Sequence, residues 1–194
     1  GRSPVLDQIV VANMVLVDEV SATDGLVKQR QDALMARLRA EPGVKTVTFS
    51  SALPGLGPDR RIEFEPSAPV RDAGSLDVAT FRIDVGLLRA YDARLLAGRG
   101  FEARDVANGR VAIVNRTFAE TLLASQSPGE GGPLGTRFRY AAAGGGTPSD
   151  WYDILGIVDA FPPLPPSPES PTESTAYHPM PSGAAGASGR RRGC

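Results

Sequence analysis

Few residues of this sequence have the type and spacing that chemistry requires, and each has a plainer reading beside it. His178 is the only histidine. It lies in a weakly patterned C-terminal stretch, where an exposed residue at a strand end is a better account than a general base or an imidazole ligand. No Gly-x-Ser-x-Gly turn supplies a nucleophile. The single cysteine, Cys194, permits neither an intrachain disulfide nor a cysteine metal cluster. Glu102 and Asp105 stand three apart and Asn108 follows, but the ligand spacing of a calcium loop is missing. Solvated charges, or Asp105 capping nearby amides, account for them. Gly98-Arg99-Gly100 and Gly129-Glu130-Gly131-Gly132 match neither phosphate-binding glycine pattern, and Glu130 would repel a phosphate. Arg190-Arg191-Arg192 reads as a solvated run. The expectation is no catalytic residue, no metal and no cofactor.

Composition agrees. Lys plus Arg number 21 against 22 Asp plus Glu, so the basic excess of a nucleic-acid binder is absent. At 194 residues, 41% hydrophobic, the chain can bury a core. The longest apolar stretch, Ile9–Val17, contains Asn13 and is half of the ~20 residues a spanning helix needs. Gly1-Arg2-Ser3 opens without methionine or signal-peptide pattern, and reads as the start of an excised piece.

The elements that must position these residues follow from periodicity. Ile9–Val17, apolar on both faces, predicts a central strand. Ser21, Thr23 and Asp24 are competent N-caps for a helix over Gly25–Ala40, with Val27, Leu34 and Leu38 on its apolar face and Ala33 and Met35 beside them. Pro42 and Gly43 end it. Val44–Ser50 predicts a second strand, which completes a strand–helix–strand unit.

Leu53–Asp59 reads as a turn, Arg61–Glu65 as a strand with Ile62 and Phe64 inward, and Pro66–Ser75 as a loop. Val78–Val85 alternates, with Phe81, Ile83 and Val85 on one face. A short helix over Gly86–Ala93 follows, then a loop over Leu95–Asp105, a buried strand over Arg110–Asn115 and a helix over Arg116–Ala124 carrying Phe118, Leu122 and Leu123. Gly135–Tyr140 reads as a strand with Phe138 and Tyr140 on its two faces, Ala141–Ser149 as a hairpin-like loop, and Trp151–Val158 as a strong strand. Six prolines in Phe161–Pro171 forbid helix and ladder alike. Thr175–Pro179 alone could return as a short strand, and the Gly/Ala/Ser-rich residues 181–194 are expected to lack order.

The order of these pieces resembles a known family. Leu38-Arg39-Ala40-Glu41-Pro42-Gly43-Val44-Lys45-Thr46-Val47, then Ala52-Leu53-Pro54, is similar to the start of the MacB-like periplasmic core domain of MacB/FtsX-type ABC-transporter permeases. Phe81–Tyr91 looks like its strand and short helix. Leu96-Ala97-Gly98-Arg99-Gly100-Phe101 with Asp105 looks like its "GR-x-F…D" loop. Val111–Ala119 looks like its "vaivNe" strand and helix around Asn115, and Pro133-Leu134-Gly135-Thr136 its "PiG". Ile154–Asp159, with Gly156, matches "ivGVv-D", and Ala176-Tyr177-His178-Pro179 its closing "iy-P". The single-chain, duplicated permeases of the group look nearest. The proline-heavy 161–171 segment and the glycine-rich 141–149 loop depart from the family pattern.

The resemblance implies an α/β (α+β) domain of mixed sheet in two lobes. A porter-like strand–helix–strand lobe would comprise 1–70 and 150–180, and a second, inserted lobe 71–149. Pro42, Gly43, Gly98, Arg99, Phe101, Asp105, Asn115, Pro133, Gly135, Gly156 and Asp159 would serve architecture, with Arg99 tying its loop to backbone carbonyls or to Asp105. It further implies a non-catalytic domain outside the cytoplasmic membrane, moved by the transmembrane helices of its own permease, and through them by a cytoplasmic ATPase. Its work would be on a substrate or a periplasmic partner protein. One rival is a module that holds a ligand, lipid or peptide between lobes. Another is a small enzyme that uses carboxylates or a metal.

Overall fold

A computed structural model of the chain describes residues 9–10, 12, 24–51, 59–65, 76–125, 131–142, 144, 146–159 and 174–180. Of the expected strand Ile9–Val17 only Ile9, Val10 and Ala12 are described, in no regular element; the loops at 53–58 and 66–75, the proline-rich 161–171 and the tail 181–194 fall outside these residues. The elements are α1 (Asp24–Ala40), β1 (Asp59–Phe64), β2 (Leu76–Asp84), α2 (Leu87–Ala90), β3 (Leu95–Gly98), α3 (Ala103–Asn108), β4 (Val111–Asn115), α4 (Arg116–Ser125), β5 (Arg137–Tyr140), β6 (Tyr152–Val158) and β7 (Thr175–Met180). The expected mixed α+β character is present. No helix among the described residues is long and apolar enough to cross a membrane.

The seven strands form one sheet in the order β3-β6-β4-β7-β2-β1-β5, and β5 pairs β6 again. Six strands therefore close into a ring. Antiparallel pairs join β2 to β1, β1 to β5, β5 to β6 and β4 to β7, and parallel pairs join β4 to β6 and β2 to β7. β3 takes the rest of the β6 edge that β5 leaves, matching Gly98 to Gly156.

Alternation along each strand sorts side chains to the two sides of the ring. Ile62, Val78, Ala112, Val114, Phe138, Tyr140, Ile154 and Ala176 share one cluster, into which α4 sends Phe118, Ala119 and Leu122. Phe81, Ile83, Val111, Ile113, Val158 and Tyr177 join Leu87, Leu88 and Phe101 in the other. A register shift between Ala112 and Ile113 lets Ile154 and Ile157 point to the first cluster, Leu155 and Val158 to the second. The outer face of β1 and β5 is wet, and ion pairs cross it: Arg61 with Asp77, Arg139 with Glu63, Arg137 with Glu65.

Several expectations are corrected. The loop Leu95–Asp105 contains strand β3 and the start of α3, because β3 gains its pairing from β6 and not from any alternation of its own. Val44–Ser50 makes only one antiparallel bridge, Ser50 to Ile83, since an antiparallel run from there passes the end of β2 at Asp84. On α1, Leu34 and Leu38 are exposed, and among its described side chains the buried one is Met35. Neither core cluster includes a described side chain of this helix. In α4, Leu123 is exposed while Phe118 and Leu122 are buried. Phe138 and Tyr140 share a face, their ring centroids 5.7 Å apart, as a spacing of two requires.

Candidate functional site

The motif residues fall into three groups. The first surrounds the β3–β6 pairing. Gly98 has φ +72°, and a Cβ there would stand 2.2 Å from the Leu155 carbonyl oxygen. A Cβ on Gly156 would stand 2.3 Å from the Arg99 carbonyl oxygen. Two backbones thus touch where only glycine fits. Arg99 leaves this contact and forks onto Asp105, Nη1 to Oδ2 at 2.6 Å and Nη2 to Oδ1 at 2.9 Å. Nη1 also donates to the Gly100 carbonyl at 3.1 Å. Asp105 closes a capping box at the start of α3, its Oδ2 accepting the Glu102 N–H at 2.7 Å. The Arg99 bond, then the backbone bond from Glu102, hold its carboxyl below the usual carboxylate range against the opposing effect of burial. Phe101 packs beneath, in the second cluster.

The second group joins helix to sheet. Asn115 ends β4 and precedes α4; its Oδ1 accepts the Phe118 N–H at 2.9 Å and the Thr175 N–H at 3.0 Å. Arg116 pairs with Asp159 at 3.1 Å. Pro133 is buried at the turn before β5, and Gly135, at φ +80°, donates to the Ile154 carbonyl at 2.9 Å. The third group, Pro42 and Gly43, stands apart in the turn after α1, with Gly43 at φ +92°.

The residue most misjudged from sequence is His178. It sits in β7, fourth of the seven strands, and is 7% exposed, not at an open strand end. The C-terminal stretch reads weakly because Pro179 argues against a central strand; the pairing of β7 to β2 across Thr175–Met180 supplies what propensity does not. Inside the ring His178 Nε2 lies 2.5 Å from the Tyr140 hydroxyl and Nδ1 lies 3.2 Å from the Val111 carbonyl oxygen. Thr80 Oγ1 lies 3.3 Å from the same hydroxyl. The Tyr152 ring lies 4.5 Å from the imidazole, tilted 59° to it, and the Arg60 guanidinium covers the Tyr140 ring at 4.4 Å. Burial pushes the imidazole down to about 4 and the Tyr140 phenol above its ordinary range. Period-two spacing of Phe138 with Tyr140, and of Ala176 with His178, was the available signal.

Chemically these groups are occupied by one another. The imidazole has both nitrogens bonded and no carboxylate to orient it as a base. Both Asp105 oxygens face Arg99, which leaves the Glu102–Asp105 pair unsuited to a cation. Among the described residues no group of three or more His, Cys, Asp or Glu is placed to hold a metal.

No family model matches the sequence, and no curated protein does. Solved structures do match. A domain assigned to a permease of Porphyromonas gingivalis superposes with TM-score 0.51 at 18% identity, over 75% of this chain and 55% of that one. The periplasmic region of MacB from Actinobacillus actinomycetemcomitans gives TM-score 0.47 at 12% identity, over 76% of this chain and 54% of that one. The extracellular domain of the noncanonic ABC-type transporter YknZ from Gram-positive bacteria gives 0.47 at 20%, over 75% and 60%. The chain thus spans between half and three fifths of the length of these structures. By fold, the chain resembles the class of permease domain to which its ordered motifs point.

Proposed function

We propose that this chain is a non-catalytic, extracytoplasmic domain of an ABC-transporter permease, which transmits movement of that permease's membrane helices to a substrate or partner protein outside the membrane. The fold shared with a permease domain carries the reading. A fold alone does not assign a function. Two features of the molecule add support: a strand ring filled inside by one cluster and covered over part of its outside by another, suited to move as a body, and polar groups committed to one another rather than presented to a ligand. In this reading ATP is hydrolysed by a separate cytoplasmic ATPase, and the architectural motif residues keep the domain stiff. The division into a porter-like lobe and an inserted lobe belongs to the same proposal.

Two experiments on the full-length permease in its native membrane test it. With Cys194 replaced by Ser, a cysteine in place of exposed Leu123 should react with a membrane-impermeant maleimide in intact cells with a permeable outer layer. Labelling only after lysis would place the domain on the wrong side. Cross-linking the domains of the assembled transporter with an engineered disulfide should abolish transport; full transport with the cross-link formed sinks the transmission role.

A further inference from the structure

The end of the ring away from α4 holds polar chemistry that a rigid transmitter does not require. A carbonyl oxygen only accepts, so the 3.2 Å contact to Val111 puts the proton on Nδ1 of His178. In the neutral imidazole Nε2 must then accept, and the Tyr140 hydroxyl donates to it at 2.5 Å. The Tyr140 oxygen in turn accepts from Thr80 at 3.3 Å. One chain of donors, Thr80 to Tyr140 to His178 to Val111, runs through β2, β5, β7 and β4.

We propose that this chain is an acid-released latch: the neutral imidazole fastens β7 to β4 and β5, and a proton on Nε2 unfastens it. The β4–β7 seam needs such a fastener. Its register contains only Ile113 with Tyr177 and Val114 with Ala176. Continued, it would set Pro179, which has no N–H, against Val111; the imidazole of the preceding residue takes that carbonyl instead. A proton on Nε2 turns both nitrogens into donors and forces the Tyr140 hydroxyl to find another acceptor. The one at hand is Thr80 Oγ1, whose own hydrogen would then go to the Val78 carbonyl at 3.4 Å, the limit of a hydrogen bond.

Burial and two nearby cations oppose the charge and outweigh the Val111 bond, which favours it. Arg60 on β1 and Arg82 on β2, the register partner of His178, are cationic. Phe138 and Tyr140 on β5 and Tyr152 on β6 present rings. Arg110, at the head of β4, is paired with Asp150 at 3.1 Å. Asp84, on the His178 side of β2, accepts the Gly86 N–H on its Oδ1 at 2.7 Å. Burial and the two guanidiniums hold the imidazole neutral to about pH 4, while an opened β7 would release it to its ordinary 6.5. Acid therefore favours the open form.

Because His178 is the sole histidine, its imidazole nitrogen resonances report on the latch without assignment. At pH 7 they should show the neutral tautomer protonated at Nδ1. Between pH 7.5 and 5, opening of the Ala176–His178 amides, corrected for intrinsic exchange, should grow on the order of tenfold or more. Tyr140→Phe removes the donor to Nε2 and should move the imidazole titration to higher pH. Thr80→Val removes the fallback acceptor and should move it lower. His178→Gln keeps a donor and an acceptor without titrating, and should abolish the pH response. An imidazole that titrates near its ordinary value while β7 amides stay protected overturns the latch, as does a Gln variant with an unchanged pH response. If the Gln variant does not fold, the two opposite shifts in the other variants decide; shifts absent or of equal sign overturn it.

Discussion

The side-chain oxygen of Asn115 accepts the backbone N–H of Thr175 at 3.0 Å, sixty residues on in the chain, while holding the Phe118 N–H at 2.9 Å. One atom therefore caps α4 and anchors the first residue of β7. Asn115 is 2% exposed, so water does not take over either bond when it is lost.

Asn115→Ala should accordingly cost about 2–4 kcal/mol, the sum of a lost cap and a buried N–H left without a partner. Urea denaturation at pH 7 measures it. Asn115→Asp retains the accepting oxygen and should keep most of that stability. Equal losses in the two variants would mean that packing, not acceptance, is what Asn115 provides.

The Gly98–Gly156 contact leads to a contrast among glycines. Gly156→Ala would press a Cβ to 2.3 Å from a backbone oxygen, and Gly98→Ala to 2.2 Å with φ at +72° besides. Backbone cannot turn aside as a side chain does, so each should cost more than about 2 kcal/mol. Gly43→Ala and Gly135→Ala meet nothing within 4 Å and face only their positive φ. Their cost should be about 1 kcal/mol. Thermal melts of the four variants should fall in two classes; a single class would overturn the close-approach account.

Much of this architecture is written locally. The buried run Val111–Asn115, the alternation of Ile62 with Phe64 and of Phe81 with Ile83, and the stop at Pro42-Gly43 all follow from periods and turn chemistry that neighbours in sequence decide. The Arg99–Asp105 fork was among the options the resemblance left open. What was not legible depends on distant partners. β3 is a strand because β6 lies beside it, and β7 is central because β2 and β4 accept it despite Pro179. His178 read as exposed for the same reason: its environment is made by Tyr140, Tyr152 and Val111, none within 25 residues of it. Ring closure, likewise, rests on a β5–β6 pairing with no local signature.

On α1 the periodic stripe and the buried residue disagree, and mutation separates them. Met35, 3% exposed, should cost about 2 kcal/mol on replacement by Ala. Leu34→Ala and Leu38→Ala remove side chains 36% and 38% exposed, and each should cost under about 1 kcal/mol. A larger loss at Leu34 or Leu38 than at Met35 would show the helix seated on its stripe after all.

Acid stability should have two separable limbs. His178 is neutral when buried and its folded value is depressed, so its contribution is complete above pH 6.5 and is lost as the pH falls toward about 4. Asp105 is depressed too, but it is an acid held charged by Arg99; its contribution is complete above the unfolded value of 3.8 and is lost only as the pH falls through that and then the folded value. The Arg99 side chain is 40% exposed, so solvent screening keeps this limb small and added salt shrinks it further. Asp105→Asn should therefore flatten the profile below pH 4 and leave the region from 4 to 6.5 intact, whereas His178→Gln should do the reverse. Stability measured by urea denaturation from pH 3 to 7.5 distinguishes the two. Flattening of both limbs by either variant would mean that the two sites open as one unit, and that the β3–α3 loop and β7 are held by a common contact.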